Sequence, residues 1–421
     1  MTVEVSQTGG SGTPIKEKFF TGPLAVIFLV VFIDLVGFGM IIPILPLYAE
    51  YPPFLATPFE IGLLLSIYSW MQFFFSPLLG RLSDRHGRRP ILFISLIGSA
   101  AGYMVIGFAG SLAMVFVGRI VSGITGANIS AAQAYVADVT TKENRAKGMG
   151  LFGAAFGLGF VMGPAIAGIL SKFSIQLPFY FAAGFSITSA AAVYFFLPES
   201  IVRKAGIGER ESPADSRSLW DRFADRTFAL INVSYFFLVT AFSIMTYAFV
   251  LFTSFRYGYT AEQNGYLFAF VGIVAIIGQG FLFARLARRF GETGLTPVGC
   301  LAMAASLFVI PMIGPDSGGL FALLGVCVLL SLGNALASPS LTSLVSKVSS
   351  DEEQGTSLGI VQSGASLARA VGPMIGGVLL NNAFDRVDET TIYRTFWTAA
   401  GIMLFAFTAS LFLKRRNGRK M

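Results

Sequence analysis

Residues Gly80–Pro90 read GRLSDRHGRRP, a compact charged turn with an apolar run on either side of it. Before it lies FEIGLLLSIYSWMQFFFSPLL and after it ILFISLIGSAAGYMVIGF. Each flank is about 20 residues with almost no charge, enough helix to cross a hydrocarbon core about 30 Å thick. Extending the same reading outward gives twelve such runs, at 22–48, 59–79, 91–108, 112–135, 147–170, 178–197, 227–252, 263–284, 295–313, 319–345, 355–382 and 393–413. The composition agrees. Of 421 residues, 54% are hydrophobic and 13% charged, about half the charge of an ordinary soluble domain, and the mean hydropathy is +0.70. A soluble enzyme, a disordered chain and a disulfide-stapled secreted domain are all excluded. One histidine and two cysteines, Cys300 and Cys327, leave no His/Cys metal site to expect. The first run follows a polar segment and has no small-residue cleavage site after it, so it is expected to be a retained helix.

The net charge of +7 follows from topology. If the N-terminus is cytoplasmic, 24 of the 30 Lys and Arg fall on that side and only Lys172, Arg256 and Arg386 on the other. Arg119, Arg369 and Arg394 lie in or at helices. This asymmetry sets the expected orientation, with both termini cytoplasmic, and removes the need for a nucleic-acid partner. The sequence thus predicts an all-α membrane protein of twelve transmembrane helices, with a bundle over 1–197, a cytoplasmic linker over 198–226 and a second bundle over 227–421.

The halves repeat. RLSDRHG (81–87) returns as RLARRFG (285–291), and GLFGAAFGLGFVMGPAIAG (150–168) returns as GIVQSGASLARAVGPMIGG (359–377). Six-helix repeats of this kind build carriers that rock about a site near the membrane midplane.

Several motifs then carry a family resemblance. GRLSDRHGRRP resembles the loop signature of the major facilitator superfamily, GRIVSGITGA (118–127) its helix-4 motif, and GFVMGPAIAG (159–168) the helix-5 motif of its antiporters. IDLVGFGMIIPILP (33–46) and AYVADVTTKENRAKGMG (134–150) are similar to the drug/proton branch that includes the tetracycline/proton antiporters. The resemblance implies two pseudo-symmetric six-helix bundles, alternating access, a bacterial inner-membrane location and no cofactor. It also has gaps: Gly102, Ala275 and Met303 stand where the tetracycline exporters carry an acid, a histidine and an acid, while Gln279 is kept. The expectation is an antiporter of amphipathic small molecules that does not favour tetracycline.

Individual residues sharpen this. Asp34 is an acid in the middle of an apolar run, costly to bury and therefore a candidate proton site, or else a structural acid paired permanently with a cation. Arg119 is its expected partner. With Ser122, Gly126, Ser130 and Gln133 it forms a polar stripe at helical spacing, which either lines a cavity or joins helices. Asp84, Arg85, Arg88 and Asp138 form a candidate gating latch. By resemblance, Asp84 meets the start of helix 11 near 355–357 and Arg88 pairs with Asp138. A set of basic anchors without gating is the other reading. Arg369 has no counterpart in the first half, where Phe160 stands. It would bind an anionic group of a substrate or pair internally. Gly159, Gly163, Pro164 and Gly168 are expected to bring helices 5 and 8 together, and Gly372, Pro373, Gly376 and Gly377 to act likewise in helix 11. His86 reads as a solvated loop residue. No cluster suits hydrolysis or group transfer, and no polar lining suits a channel. The expected partners are protons, a small-molecule substrate and the bilayer, with the chain acting as a monomer. A symporter, or a carrier of a lipid, sugar or organic anion, is the alternative.

Overall fold

The computed structural model describes residues 22–140, 145–200, 225–349 and 354–417. Most of the expected linker and both terminal segments lie outside them, as does Lys142. Among the described residues the chain forms twelve helices: α1 Gly22–Glu50, α2 Pro58–His86, α3 Arg88–Gly107, α4 Leu112–Val139, α5 Arg145–Ser171, α6 Leu177–Phe196, α7 Arg226–Tyr257, α8 Ala261–Phe290, α9 Glu292–Met312, α10 Gly319–Val348, α11 Gln354–Leu380 and α12 Glu389–Asn417. Eleven are long and apolar enough to cross a membrane. The other, α5, is 27 residues long, and its described apolar part is Gly157–Ser171. No strand forms among the described residues.

Short connections reverse the chain each time. We call the end of the bundle where α1 begins the near end and the opposite end the far end. At the near end a single residue, Gly87, joins α2 to α3 with φ +105°, and Gly291 joins α8 to α9 with φ +70°. Both turns need the left-handed backbone that glycine adopts without strain. At the far end α2 and α8 open with the same capping box, Thr57 with Glu60 and Thr260 with Gln263. These matching devices place the repeat on equivalent helices of the two halves.

Three interruptions of regular helix matter below. α4 runs as α-helix to Thr125, passes through a 3₁₀ turn at Gly126–Asn128 and resumes over Ile129–Val139. α8 contains a π turn at Gly278–Phe283. α9 closes on a short 3₁₀ turn.

The glycines of α5 and α11 organise the packing. A methyl at Gly159 would stand 2.9 Å from Leu35 in α1, and one at Gly163 would stand 2.7 Å from Gly39 and Val36. One turn further, Gly168 and the Pro164 carbonyl face Gly265 of α8. The second half repeats the scheme. Gly372 meets Thr240 and Ser243, and Gly376 meets Tyr247, all on α7, while Pro373 and Gly377 face Gly62 of α2. So α5 binds α1 and α8 with two faces, and α11 binds α7 and α2. This corrects the expectation that Gly159 and Gly163 serve the α5–α8 contact: they belong to the α1–α5 crossing. Glycine rows let backbones meet where lipid gives no hydrophobic drive between helices.

Several close approaches between the halves gather toward the far end. Besides the Gly62–Gly377 and Gly168–Gly265 crossings, the Tyr247 hydroxyl donates to the Pro58 carbonyl, Tyr51 and Ser254 hydroxyls lie 3.4 Å apart, and Lys172 pairs with Glu262 at 2.9 Å. Glu262 holds the Lys172 ammonium above its usual pKa.

Candidate transport site

Asp34 lies on α1 between Val31 and Leu35, both buried against neighbouring helices. Its carboxylate accepts a hydrogen bond from the Asn128 side chain. Asn128 is 5% exposed and is the last residue of the 3₁₀ turn in α4. Arg119, the partner expected from sequence, is engaged elsewhere. Its Nε donates to the Leu64 carbonyl at 3.0 Å, and its guanidinium lies 4.5 Å from the centroid of the Tyr68 ring. Among the described residues no ion pair joins Asp34 to Arg119. The reason is Tyr68: its ring takes the face of the guanidinium, a favourable cation–π arrangement when desolvated.

Tyr68 is the common neighbour of the buried charges. It stacks on Phe38 of α1 at 5.2 Å, and Gly123 and Gly126 leave it the space it needs against α4. Its hydroxyl feels the charges of Asp34, Arg119 and Arg369 together. Arg369 is half-buried on α11, donates to the Ser366 hydroxyl at 3.0 Å, and also acts on Tyr235 of α7. Arg119 is 2% exposed and its Nη1 has no acceptor. Charges from three helices of one half and one of the other therefore meet around a single tyrosine that the sequence reading passed over.

The polar stripe of α4 divides. Ser122 donates to the Arg119 carbonyl at 3.3 Å, and Ser130 donates to the Ser76 carbonyl of α2 at 3.2 Å. Gln72 of α2 donates to the Gly126 carbonyl at 3.0 Å. These bonds join helices and satisfy the backbone. Gln133 is half-buried, and Gln279 is exposed on the π turn of α8, so neither belongs to the cluster around Tyr68.

The positions where the resemblance expects further polar groups are closed. A methyl at Gly102 would stand 2.9 Å from the Gly118 carbonyl and from Ser122, so α3 and α4 cross where an acid would have to fit. Met303 is fully buried against Gly333.

At the near end Arg88, 8% exposed, reaches three groups: Asp84 at 2.6 Å, Asp138 at 3.2 Å and the Ser83 hydroxyl at 2.7 Å. Asp84 is exposed and pairs within its own turn. Its expected partners Gly355 and Thr356 lie outside the described side chains, while Ser357 is buried. Arg85 and His86 are exposed, and His86 Nδ1 sits 3.2 Å from the Leu82 carbonyl. Two features here escaped the sequence reading. Glu199 accepts from the backbone N–H groups of Arg88 and Arg89 at 2.9 and 3.1 Å, capping α3 from the end of α6. In the second half, Glu292 and Lys347 pair at 2.5 Å. They occupy the places of Arg88 and Asp138 with the charges exchanged. A third missed residue is Glu50 at the far end of α1, whose Oε2 is buried without a partner and whose charge acts on Tyr247. It follows the last apolar residues of its run and so reads as a loop acid.

Twelve membrane helices in two related sets, joined by glycine crossings and holding charges at mid-depth with no catalytic cluster, define a membrane carrier and not an enzyme. The family comparison gives the same class a name. The model of the Major Facilitator Superfamily matches residues 27–373 and 318–420, and the chain belongs to that superfamily. It is 31% identical to the class B tetracycline resistance protein of Escherichia coli over 86% of this chain and 89% of that protein. It is 30% identical to multidrug resistance protein 2 of Bacillus subtilis over 83% and 87%. Among solved structures it resembles the human organic anion transporter MFSD10, with a TM-score of 0.67 and 26% identity over 92% of this chain and 99% of that one. A bacterial Spinster homologue in an inward-facing form shares the fold, with a TM-score of 0.74 at 15% identity.

Proposed function

We propose that this protein exports amphipathic small molecules in exchange for protons, by alternating access between its near and far ends. The observation that carries the reading is Asp34: a carboxyl at mid-membrane, bonded to a neutral amide and ion-paired to no described residue. A purely structural acid at that depth would be paired with a cation. Residues 1–197 and 227–421 act as the two moving bundles, 198–226 links them, and the near end faces the cytoplasm of a bacterial inner membrane. In that setting the Arg88–Asp138 and Glu292–Lys347 pairs hold the near ends of their own halves. The glycine crossings and Lys172–Glu262 close the far side. The chain works as a monomer, since both bundles are present in one chain.

The substrate meets the mid-depth cluster. Arg369 and the free Nη1 of Arg119 offer donors to an anionic or hydrogen-bond-accepting group, and the surrounding aromatic residues accept the apolar body. The closed positions at Gly102 and Met303 argue against a metal–tetracycline chelate as the favoured cargo. The reading is supported by the kinship with tetracycline and multidrug resistance proteins. The test is proton release from acid-loaded everted vesicles on addition of lipophilic cations, neutral dyes, tetracycline and amphipathic anions in turn. At least one class triggers release in the wild type and none does in Asp34→Asn. Release that is equal in the variant overturns the assignment of Asp34.

A further inference from the structure

The 3₁₀ turn in α4 is the one place where the proposed proton site touches an irregular backbone. Short 3₁₀ stretches inside α-helices often mark hinges, and here the segments on either side are held differently. Before the turn, α4 is fixed by Arg119 to the Leu64 carbonyl and by the Thr125–Ser99 hydroxyl contact at 3.1 Å. After it, Ser130 donates to Ser76, the Tyr135 hydroxyl donates to the Pro198 carbonyl at 2.9 Å, and Asp138 meets Arg88. At the turn itself, Gln72 satisfies the Gly126 carbonyl and Asn128 reaches Asp34.

We propose that Asn128 is the positioning residue that passes the protonation state of Asp34, through the α4 turn, to the Arg88–Asp138 ion pair at the near end. The inference rests on the reading of Asp34 as the proton site. The chemistry of the amide suits the task. An ionised carboxylate only accepts, so it takes the amide N–H; a protonated carboxyl also donates, and the amide answers by turning its carbonyl oxygen toward it. One side chain thus serves both states with two orientations. The lever is long enough. Asp138 lies ten residues beyond Asn128, about 15 Å of helix, so a rotation of about 10° at the turn carries its carboxylate about 2.6 Å. That displacement is comparable with the 3.2 Å length of the Arg88–Asp138 contact.

The groups acting around Asp34 are few. Tyr68 of α2 and Tyr103 of α3 both feel its charge, and Arg119 of α4 acts on the same two tyrosines. α5 and α6, which pack along α1, present Gly159, Gly163 and Ala182 to it and carry no acid or base over 155–171 or 177–196. Asn128 is the polar residue in this shell that belongs to a hinge.

The test places spin labels at Thr140→Cys, just past α4, and Val348→Cys, at the end of α10, in the full chain in lipid nanodiscs. Their separation is followed as pH is lowered. Wild type shifts, and Asp34→Asn does not. Asn128→Thr, which keeps a hydrogen-bonding group, retains most of the shift; Asn128→Val, of the same shape without one, loses it. Asn128→Gln serves as a second amide-keeping variant should the β-branched pair fold poorly, and is expected to retain the shift. Equal shifts in the Thr and Val variants, or loss of the shift in Asn128→Gln, overturn the role of Asn128 and leave the Asp34 reading standing. An unchanged shift in Asp34→Asn, or no shift in wild type, overturns the Asp34 reading and with it this inference.

Discussion

Gly62 is the position where a single added carbon acts most directly on the contact between the halves. Its ideal Cβ would lie 2.5 Å from the Pro373 carbonyl oxygen and 2.9 Å from the Gly377 Cα, all backbone atoms that no rotamer change can relieve. Since ordinary contact begins at 3.4 Å, Gly62→Ala must part α2 from α11 by about 0.9 Å at the far end. Overpacking of this kind costs about 1–3 kcal/mol. The strain exists only while the far end is closed, so it favours the far-open state by about 5- to 150-fold. The assay is labelling of Ser254→Cys, whose wild-type hydroxyl sits 3.4 Å from Tyr51, with a membrane-impermeant maleimide. Cys300 and Cys327 are buried and give no background. Labelling should quicken by that factor in Gly62→Ala. Gly184→Ala is the control: a methyl there meets nothing within 4 Å, so labelling should stay at the wild-type rate. A folded Gly62→Ala protein with wild-type labelling would refute the claim that this crossing seals the far end.

Three further outcomes are expected. Arg369→Gln should raise the KM for amphipathic anions at least about tenfold, a change of about 1.4 kcal/mol, and leave that for lipophilic cations near the wild-type value; counterflow in proteoliposomes reads both. Gly102→Asp should lower the midpoint of thermal unfolding and confer no tetracycline transport, because α4 occupies the space the acid needs; drug-resistance assays of the variant check this. Asp388 caps α12 by accepting from the Thr391 N–H at 2.8 Å, and with the Asn382 amide this holds its carboxyl below the usual 3.8. A depressed carboxyl stabilises fully above pH 3.8 and loses its effect as pH falls through the folded value. Asp388→Ala should therefore cost about 1 kcal/mol near neutral pH, with the difference from wild type shrinking in acid, as denaturant titration at several pH values would show.

The helices were legible because lipid imposes one rule, a run of apolar residues long enough to span. What that rule misses is where helices continue beyond the hydrocarbon. The run read as 59–79 is part of a helix that continues to His86, and the run read as 263–284 continues to Phe290. Charged helix ends such as Arg81 and Arg285 look like loop to a hydropathy window. The glycine motifs were legible as packing, but not which partner each face meets, since spacing along one helix says nothing about its neighbours. The polar stripe of α4 was drawn on an ideal helix, and the 3₁₀ turn shifts the phase after Thr125; Asn128 thereby reaches Asp34 although it lies off the drawn face. The expected Asp34–Arg119 pair fails for a similar reason. Tyr68, an aromatic residue in an apolar run, carries no signal that sets it apart from the other aromatics until the fold brings it between the charges. Glu292 and Lys347 align with Arg88 and Asp138, yet a search for like residues passes over a pair whose signs are exchanged.

The central claim is that Asp34 ties substrate movement to protons. Proteoliposomes separate that tie from transport itself. With substrate on both sides and no pH gradient, exchange needs only the alternating cycle; with an imposed gradient, uphill accumulation needs coupling. Asp34→Asn should keep exchange within about threefold of wild type and lose accumulation altogether. Accumulation of substrate against its gradient by the Asp34→Asn protein, driven by the same pH difference, would contradict the account.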